Sequence, residues 1–165
     1  LDVEAPDLTD MRTEAEESLA NALSIVGTAP IGIDYMSTPR FLSLARLLLS
    51  HGFNVTEIYG DSLTPDSIPD LEWLKQHYPD IPLKATQDFR ARFYPRDEEA
   101  DGKVIAIGQK AAYFMGTGHF VNMITNNGRY GYDAIKSLAA ELIDAYENEK
   151  DTKSIIQVKA WGCSA

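Results

Sequence analysis

Short β-rich apolar runs alternate with amphipathic helical segments along most of the 165 residues, and this alternation limits the fold more than any other feature. The clearest strand is KVIAIG, an apolar run that lies between two glycines. A run of this kind is typical of a strand that is covered on both faces of a parallel sheet. Strands joined by helices form βαβ units with right-handed crossovers. The pattern predicts a three-layer α/β/α Rossmann-like sandwich with a mostly parallel sheet of four to five strands.

Residue spacing and helix-stopping residues predict the individual elements. Helices are predicted over Leu8–Leu23, after Thr38 and Pro39, and at LEWLKQHYP, QKAAYFMG and Tyr132–Glu149. Strands are predicted at LSIVGTA, FNVTEIYG, IPLKAT, KVIAIG and HFVNMI, with loops or turns at IGIDYMS, DFRARFYP and RDEEADG. We expect an N-terminal helix or linker over residues 1–23, one Rossmann-like domain over 24–150 and a C-terminal arm over 151–165.

Composition excludes several classes of protein. The formal net charge of −10 argues against a nucleic-acid surface, which needs clustered Lys and Arg. The sequence has no apolar run of about 18 residues, so we expect no membrane-spanning helix. A single cysteine, Cys163, cannot form an internal disulfide or a Cys-rich metal site and is typical of the cytoplasm. Because the chain begins with Leu, we expect it to be a piece of a longer protein.

The loops that follow the strands are the candidate functional segments, because ligands of open α/β sheets bind beyond the carboxyl ends of the strands. These loops include GTAPIGIDY, YGDSLT, ATQD, GQK and NMITNNGRYGYD. The residues that we predict to form a ligand-binding cleft there are Thr28, Gly32, Gly108, Gln109, Lys110, Asn127, Tyr130 and Tyr132. At GQK, free backbone N–H groups and Lys110 suit an anion; the alternative is a polar helix start with Lys110 in solvent.

Sequence motifs for metal binding or catalysis are absent. GTAPIG has neither the glycine spacing of a dinucleotide fingerprint nor the GK[ST] of a P-loop. The three histidines, His51, His77 and His119, lack metal-ligand spacing with any Cys, Asp or Glu, so we expect them to be structural. No GxSxG nucleophile motif is present. The sequence therefore predicts no metal ligand, and it leaves the catalytic residues unknown.

Two long segments resemble the nitrogenase component 1 type oxidoreductases. In that family a strand ending in glycine leads into a helix, a second strand and a loop, and a Gly-Tyr motif then opens a long helix. GQKAAYFMGTGHFVN followed by GRYGYDAIKSLAAELIDA has the same order, and PRFLSLARLLLSHGFNVTEIYG is similar to the family's first helix and second strand. The resemblance covers about residues 24–150 and implies one Rossmann-like domain of a subunit in a multi-subunit reductase.

The resemblance also implies a function and a partner. The residue before the family's Gly-Tyr-Asp-Gly motif is, in the molybdenum–iron α subunit, a His that ligates the cofactor. Here Tyr130 stands in that position and Ala134 replaces the final glycine, while Cys163 matches none of the family's cluster ligands. The implied role is one wall of a metallocluster or substrate cleft, with an iron–sulfur-type cluster in the full complex and an ATP-dependent iron–sulfur reductase as partner.

Two other functions fit the same residues. One is a metallocluster-assembly scaffold, and the other is a module that binds a small anion or metal chelate without redox activity. In each case we expect the isolated domain to be inactive and to bind no cluster itself.

Overall fold

The computed structural model describes residues 6–88 and 102–151. The predictions made for DFRARFYP, RDEEADG and the C-terminal arm fall wholly or largely outside these residues, as does Cys163.

Five parallel strands form the central sheet, which confirms the predicted fold class. In chain order they are β1 (Ile31–Asp34), β2 (Val55–Tyr59), β3 (Leu83–Lys84), β4 (Ile105–Ile107) and β5 (Phe120–Val121). Their order across the sheet is β3-β2-β1-β4-β5. All four pairings are parallel, so the carboxyl ends of all five strands meet at one edge, which we call the carboxyl edge.

Helices cover both faces of the sheet and complete the three layers. They are α1 (Thr9–Val26), α2 (Phe41–Ser50), α3 (Ile68–His77), α4 (Gln109–Met115) and α5 (Gly131–Glu147). Because side chains alternate along a strand, Ile105 and Ile107 pack on the face of α1, α2 and α5, whereas Ala106 packs on the face of α4. Within the described residues, α3 packs on α2 and α1 packs along α5.

The prediction that KVIAIG forms a strand covered on both faces is confirmed. Ile105 and Ile107 are fully buried, and β4 lies between β1 and β5 rather than at an edge. The central strand β1 is buried to the same extent. The predicted α2, β2, α4 and α5 are also present, with shifts of only a few residues at their ends. None of the helices in the described ranges is long and apolar enough to cross a lipid bilayer.

The prediction of the first strand is wrong. LSIVGTA was expected to be that strand, but Leu23 to Val26 form the last turn of α1, where Val26 continues the buried stripe of Ala15, Leu19 and Ala22. The domain boundary expected after residue 23 therefore falls inside α1. The true strand, Ile31–Asp34, was expected to be a loop because Gly32 and Asp34 are uncommon in strands.

Packing explains why these two residues stand in a buried strand. A Cβ added to Gly32 would lie 2.0 Å from the sulfur of Met115, so glycine lets the Met115 side chain of α4 lie directly on β1. Asp34 is also fully buried, and its carboxylate bonds to backbone N–H groups, as described below.

His51 ties the end of α2 to α1. Its Nδ1 lies 2.7 Å from the Leu47 carbonyl oxygen, and its Nε2 lies 2.7 Å from the Glu16 carboxylate. Burial lowers the pKa of His51, but the carbonyl and the carboxylate raise it more, so the pKa is above its ordinary value of 6.5. The pair therefore stabilises the fold fully below the unfolded pKa, and this contribution is lost as the pH rises through the higher folded pKa.

We expect Glu16→Gln to lower the free energy of unfolding by about 0.2–1 kcal/mol near pH ~5.5, where His51 is charged, and by much less near pH ~9. Urea unfolding at the two pH values measures the difference. The neighbouring exposed Glu17, changed to Gln, is the control and should show little loss at either pH. An equal loss for Glu16→Gln at both pH values would contradict this role of the ion pair.

Candidate functional site

The chain adds strands first on one side of β1 and then on the other, so the sheet topology reverses between β1 and β4. From β1 the chain moves outward through β2 and β3, and it then returns to the other side of β1 to form β4 and β5. In open α/β sheets, ligands commonly bind beyond the carboxyl ends of the strands at such a reversal point. Asp34 ends β1 and Gly108 follows β4, so these two residues stand at the reversal point.

The Asp34 carboxylate occupies the N-terminus of α4. Its Oδ2 accepts hydrogen bonds from the backbone N–H groups of Lys110 (2.6 Å) and Ala111 (3.0 Å), and its Oδ1 accepts from Met36 (2.8 Å) and Ser37 (3.0 Å). Burial raises the pKa of Asp34 above its ordinary value, and the four N–H groups oppose that rise. The donors that the sequence predicted to be free for an anion are therefore bonded to a carboxylate of the chain itself.

Because Gly108 has no side chain, the Asp34 carboxylate can approach the start of α4 closely. An added Cβ would lie 2.4 Å from Oδ2 of Asp34, well inside the contact distance of the two atoms. The φ of Gly108 is also +99°, a conformation that residues with a side chain rarely adopt. The glycine at the end of KVIAIG thus permits the hydrogen bonding of Asp34.

Lys110 joins three loops of the carboxyl edge. Its Nζ donates to the Tyr35 hydroxyl (2.9 Å) and the Thr86 hydroxyl (2.8 Å) and lies 3.7 Å from the Asp61 carboxylate. The ammonium also lies 4.7 Å from the centroid of the Tyr35 ring. These partners follow β1, β3 and β2, respectively. Lys110 is consequently held at the edge by groups of the chain itself, which differs from the alternative that its side chain is free in solvent.

Asp61 completes this network. It accepts hydrogen bonds from the backbone N–H groups of Thr86 (2.6 Å) and Gln87 (3.1 Å) and from the Thr86 hydroxyl. Burial raises the pKa of Asp61, but these bonds and the Lys110 ammonium lower it more, so the pKa is below its ordinary value. The sequence predicted that the loops YGDSLT and ATQD are functional, but it did not identify Asp61 or Thr86 within them. The position of both residues directly after a strand could have identified them.

Two of the predicted cleft residues lie elsewhere. Thr28 precedes β1, and its carbonyl oxygen accepts a hydrogen bond from the side-chain amide of Asn54 (2.9 Å), which precedes β2. Gly32 lies within β1. The expectation that residues 27–32 follow the first strand is therefore wrong, because that strand begins later than predicted.

The remaining predicted residues follow β4 and β5. Gln109 is buried, and its amide donates to the Asn122 side chain (2.9 Å). Asn127 accepts from the Ile124 N–H (3.0 Å) and donates to the Asn122 carbonyl (3.2 Å) through its side chain. Tyr130 stands at the N-terminal cap position of α5. It is 74% exposed, whereas Tyr132 is partly buried.

The turn Thr125–Gly128 after β5 has an unusual backbone. Thr125, Asn126 and Asn127 all have positive φ, of 48°, 58° and 51°, which is rare for residues other than glycine. The loop after β1 holds this turn, because the Thr125 N–H donates to the Met36 carbonyl (2.9 Å) and the Asn126 N–H donates to the Ser37 carbonyl (2.8 Å). The loops after β1 and β5 are thus bonded to each other.

A groove lies between α2 and α5, beside this turn. Its cavity volume is about 200 Å³, and its apolar lining consists of Leu44, Leu47, Met123, Ala134, Ile135 and Leu138. Arg40, Asn126, Arg129 and Glu141 are among its polar residues. None of the predicted cleft residues lines it, because residues far apart in sequence come together only when α2 and α5 pack on the same face.

The donor chemistry of the described residues does not fit a metallocluster. Iron–sulfur clusters are held mainly by Cys thiolates, and residues 6–88 and 102–151 contain no cysteine. Within the same ranges, no group of three or more His, Cys, Asp or Glu residues is arranged to hold a metal ion. Tyr130, which stands where the resembling family has a His ligand, is one exposed phenol.

Comparison with known proteins yields similarity at the level of the fold. No family model and no curated protein sequence matches the chain. Among solved structures, the chain is similar to nitrogenase Cp1 at pH 6.5, with a TM-score of 0.59 and 14% sequence identity. The match covers 87% of this chain and 34% of that chain, so this chain spans about a third of the nitrogenase Cp1 chain. The similarity confirms a nitrogenase-like fold at this coarse level.

We expect Gly108→Ala to lower the free energy of unfolding by more than about 3 kcal/mol, because the new Cβ would displace the buried Asp34 carboxylate. The matched control is Gly128→Ala. Gly128 has a φ of +73° and no atom within 4 Å of an added Cβ. The free energy of unfolding of Gly128→Ala should therefore fall only by about 1 kcal/mol, the cost of a side chain at positive φ. Urea unfolding compares the two variants, and similar losses would contradict the role assigned to Gly108.

Proposed function

We propose that this chain is a Rossmann-like domain of a nitrogenase component 1-like oxidoreductase subunit and that its carboxyl edge forms one wall of a metallocluster or substrate cleft. The observation that carries the proposal is the match of 87% of the chain to about a third of nitrogenase Cp1. In this proposal other domains or subunits form the opposite wall, and the cytoplasmic complex receives electrons from an ATP-dependent iron–sulfur reductase.

Exposed apolar side chains at the carboxyl edge support this wall. Met36 follows β1 and is 36% exposed, Ile124 follows β5 and is 37% exposed, and Tyr130 is the most exposed of the three. The hydrogen bond from the Thr125 N–H to the Met36 carbonyl keeps the loops after β1 and β5 adjacent. Clustered apolar groups on a surface favour contact with another domain or a ligand, and the Tyr130 phenol adds a polar group that can donate or accept a hydrogen bond.

The proposal assigns no metal ligand to the described residues, because their donors do not fit a cluster. A cluster in the complex would take its ligands from other domains, and this chain would supply shape, apolar surface and the Tyr130 hydroxyl. A small-anion site at the carboxyl edge is less well supported. Asp34 already occupies the N–H groups of α4, and Lys110 is held by Tyr35 and Thr86.

We expect the 165-residue chain to hold no stoichiometric iron after anaerobic reconstitution with iron and sulfide, because its described donors do not fit a cluster. The complex purified anaerobically through a tag on this chain should contain iron and acid-labile sulfide. Iron analysis and visible absorption spectra measure both samples. A stable brown chain, or a complex free of iron, would contradict the proposal.

Tyr130→Ala tests the wall directly. In the assembled complex we expect it to slow substrate reduction at least about tenfold, since small errors of position in a cleft are costly. The matched control is Met11→Ala, which removes a large apolar side chain that is 37% exposed on α1. Unchanged turnover in Tyr130→Ala would count against the wall. Transfer of iron to an acceptor protein without substrate turnover would favour the assembly scaffold instead.

A further inference from the structure

The groove between α2 and α5 has a closed apolar floor. Leu44, Met123 and Leu138 are at most 9% exposed, and Leu47 and Ile135 line the groove as partly buried residues. An apolar cavity of about 150 Å³ is large enough to hold benzene. The volume here, about 200 Å³, therefore suits a ring or chain of about six to eight carbon atoms.

Arg40 places a positive charge without an acidic partner at the edge of this floor. Arg40 is exposed and lines the groove, and its guanidinium forms no hydrogen bond or ion pair with residues 6–88 or 102–151. The other arginine of the groove, Arg129, is paired with Glu141 at 2.5 Å. In a chain with a net charge of −10, an arginine with no acid beside it is the complement of an external anion.

The surroundings of Arg40 favour an anion of one charge. Arg40, Arg129 and Glu141 together give the groove a net charge of +1. Arg40 also stands at the N-terminal cap position of α2, a helix whose first turn has no acidic residue, so the helix dipole adds to the positive potential. A guanidinium binds a carboxylate through two parallel hydrogen bonds, and a ligand with one negative charge matches the net charge of the groove.

The backbone beside the groove is strained as well. Asn126 lines the groove and belongs to the three successive residues with positive φ. Such conformations cost about 1–3 kcal/mol each and occur most often at functional sites.

We infer that this groove binds a small amphipathic monocarboxylate, with its hydrocarbon body on the apolar floor and its carboxylate on Arg40. This site is distinct from the proposed cleft wall, since it contains neither Tyr130 nor Lys110, and the inference does not rest on the proposed function.

Hexanoate is the probe, and hexan-1-ol is its neutral counterpart of the same chain length. Both are titrated against the 165-residue chain and followed by methyl NMR. We expect hexanoate to shift the methyl signals of Leu44, Leu47 and Met123 and to bind at least about tenfold tighter than hexan-1-ol, because only hexanoate forms a charge-assisted bond with Arg40.

Arg40→Gln tests the contribution of the Arg40 charge to binding, with Arg12→Gln as its control, and Ala134→Leu tests the contribution of the groove volume. Arg40→Gln should abolish the preference for hexanoate, while Arg12→Gln, an exposed arginine on α1 outside the groove, should retain it. Ala134→Leu should weaken both probes by filling the groove, with circular dichroism confirming that each variant is folded. Equal binding of the two probes, a preference that survives Arg40→Gln, or shifts confined to residues outside the groove would overturn the inference.

Discussion

The buried hydrogen bonds of Asp34 hold the carboxyl edge together. A carboxylate removed from water is costly unless its oxygens are bonded, and four backbone N–H groups from two segments provide those bonds. They join the end of β1 to the start of α4 across the point where the sheet topology reverses. Within the described residues, α4 is the helix that covers its face of the sheet, so the position of that layer depends on this contact.

Other features of the edge follow from the same contact. Gly108 has no side chain because Asp34 lies where one would be. With the N-terminus of α4 fixed, the Lys110 side chain reaches Tyr35 and Thr86 and connects the loops after β1 and β3. Charged groups that could have bound a ligand thus bind each other. Among the groups that the edge exposes are the apolar side chains of Met36 and Ile124 and the Tyr130 hydroxyl, which suit a wall better than a set of metal ligands.

The turn Thr125–Gly128 lies between the two candidate surfaces. On one side it leads to Tyr130 at the exposed edge, and on the other its Asn126 lines the groove between α2 and α5. Its positive φ values are maintained by backbone hydrogen bonds to Met36 and Ser37. A change in the loop after β1 would therefore reach both surfaces through this turn.

The sequence by itself determined the fold class, the burial of β4 and the helices α2 and α5, because side-chain periodicity and terminal glycines are local signals. It failed at β1, where the helical stripe ending at Val26 resembled a strand and the strand contained Gly32 and Asp34. The tertiary structure alone decided that Asp34 binds the start of α4, 76 residues away, and that α2 and α5 enclose a groove around Arg40. Such contacts depend on the order of strands in the sheet and on which helices share a face, and no local pattern of residues specifies either.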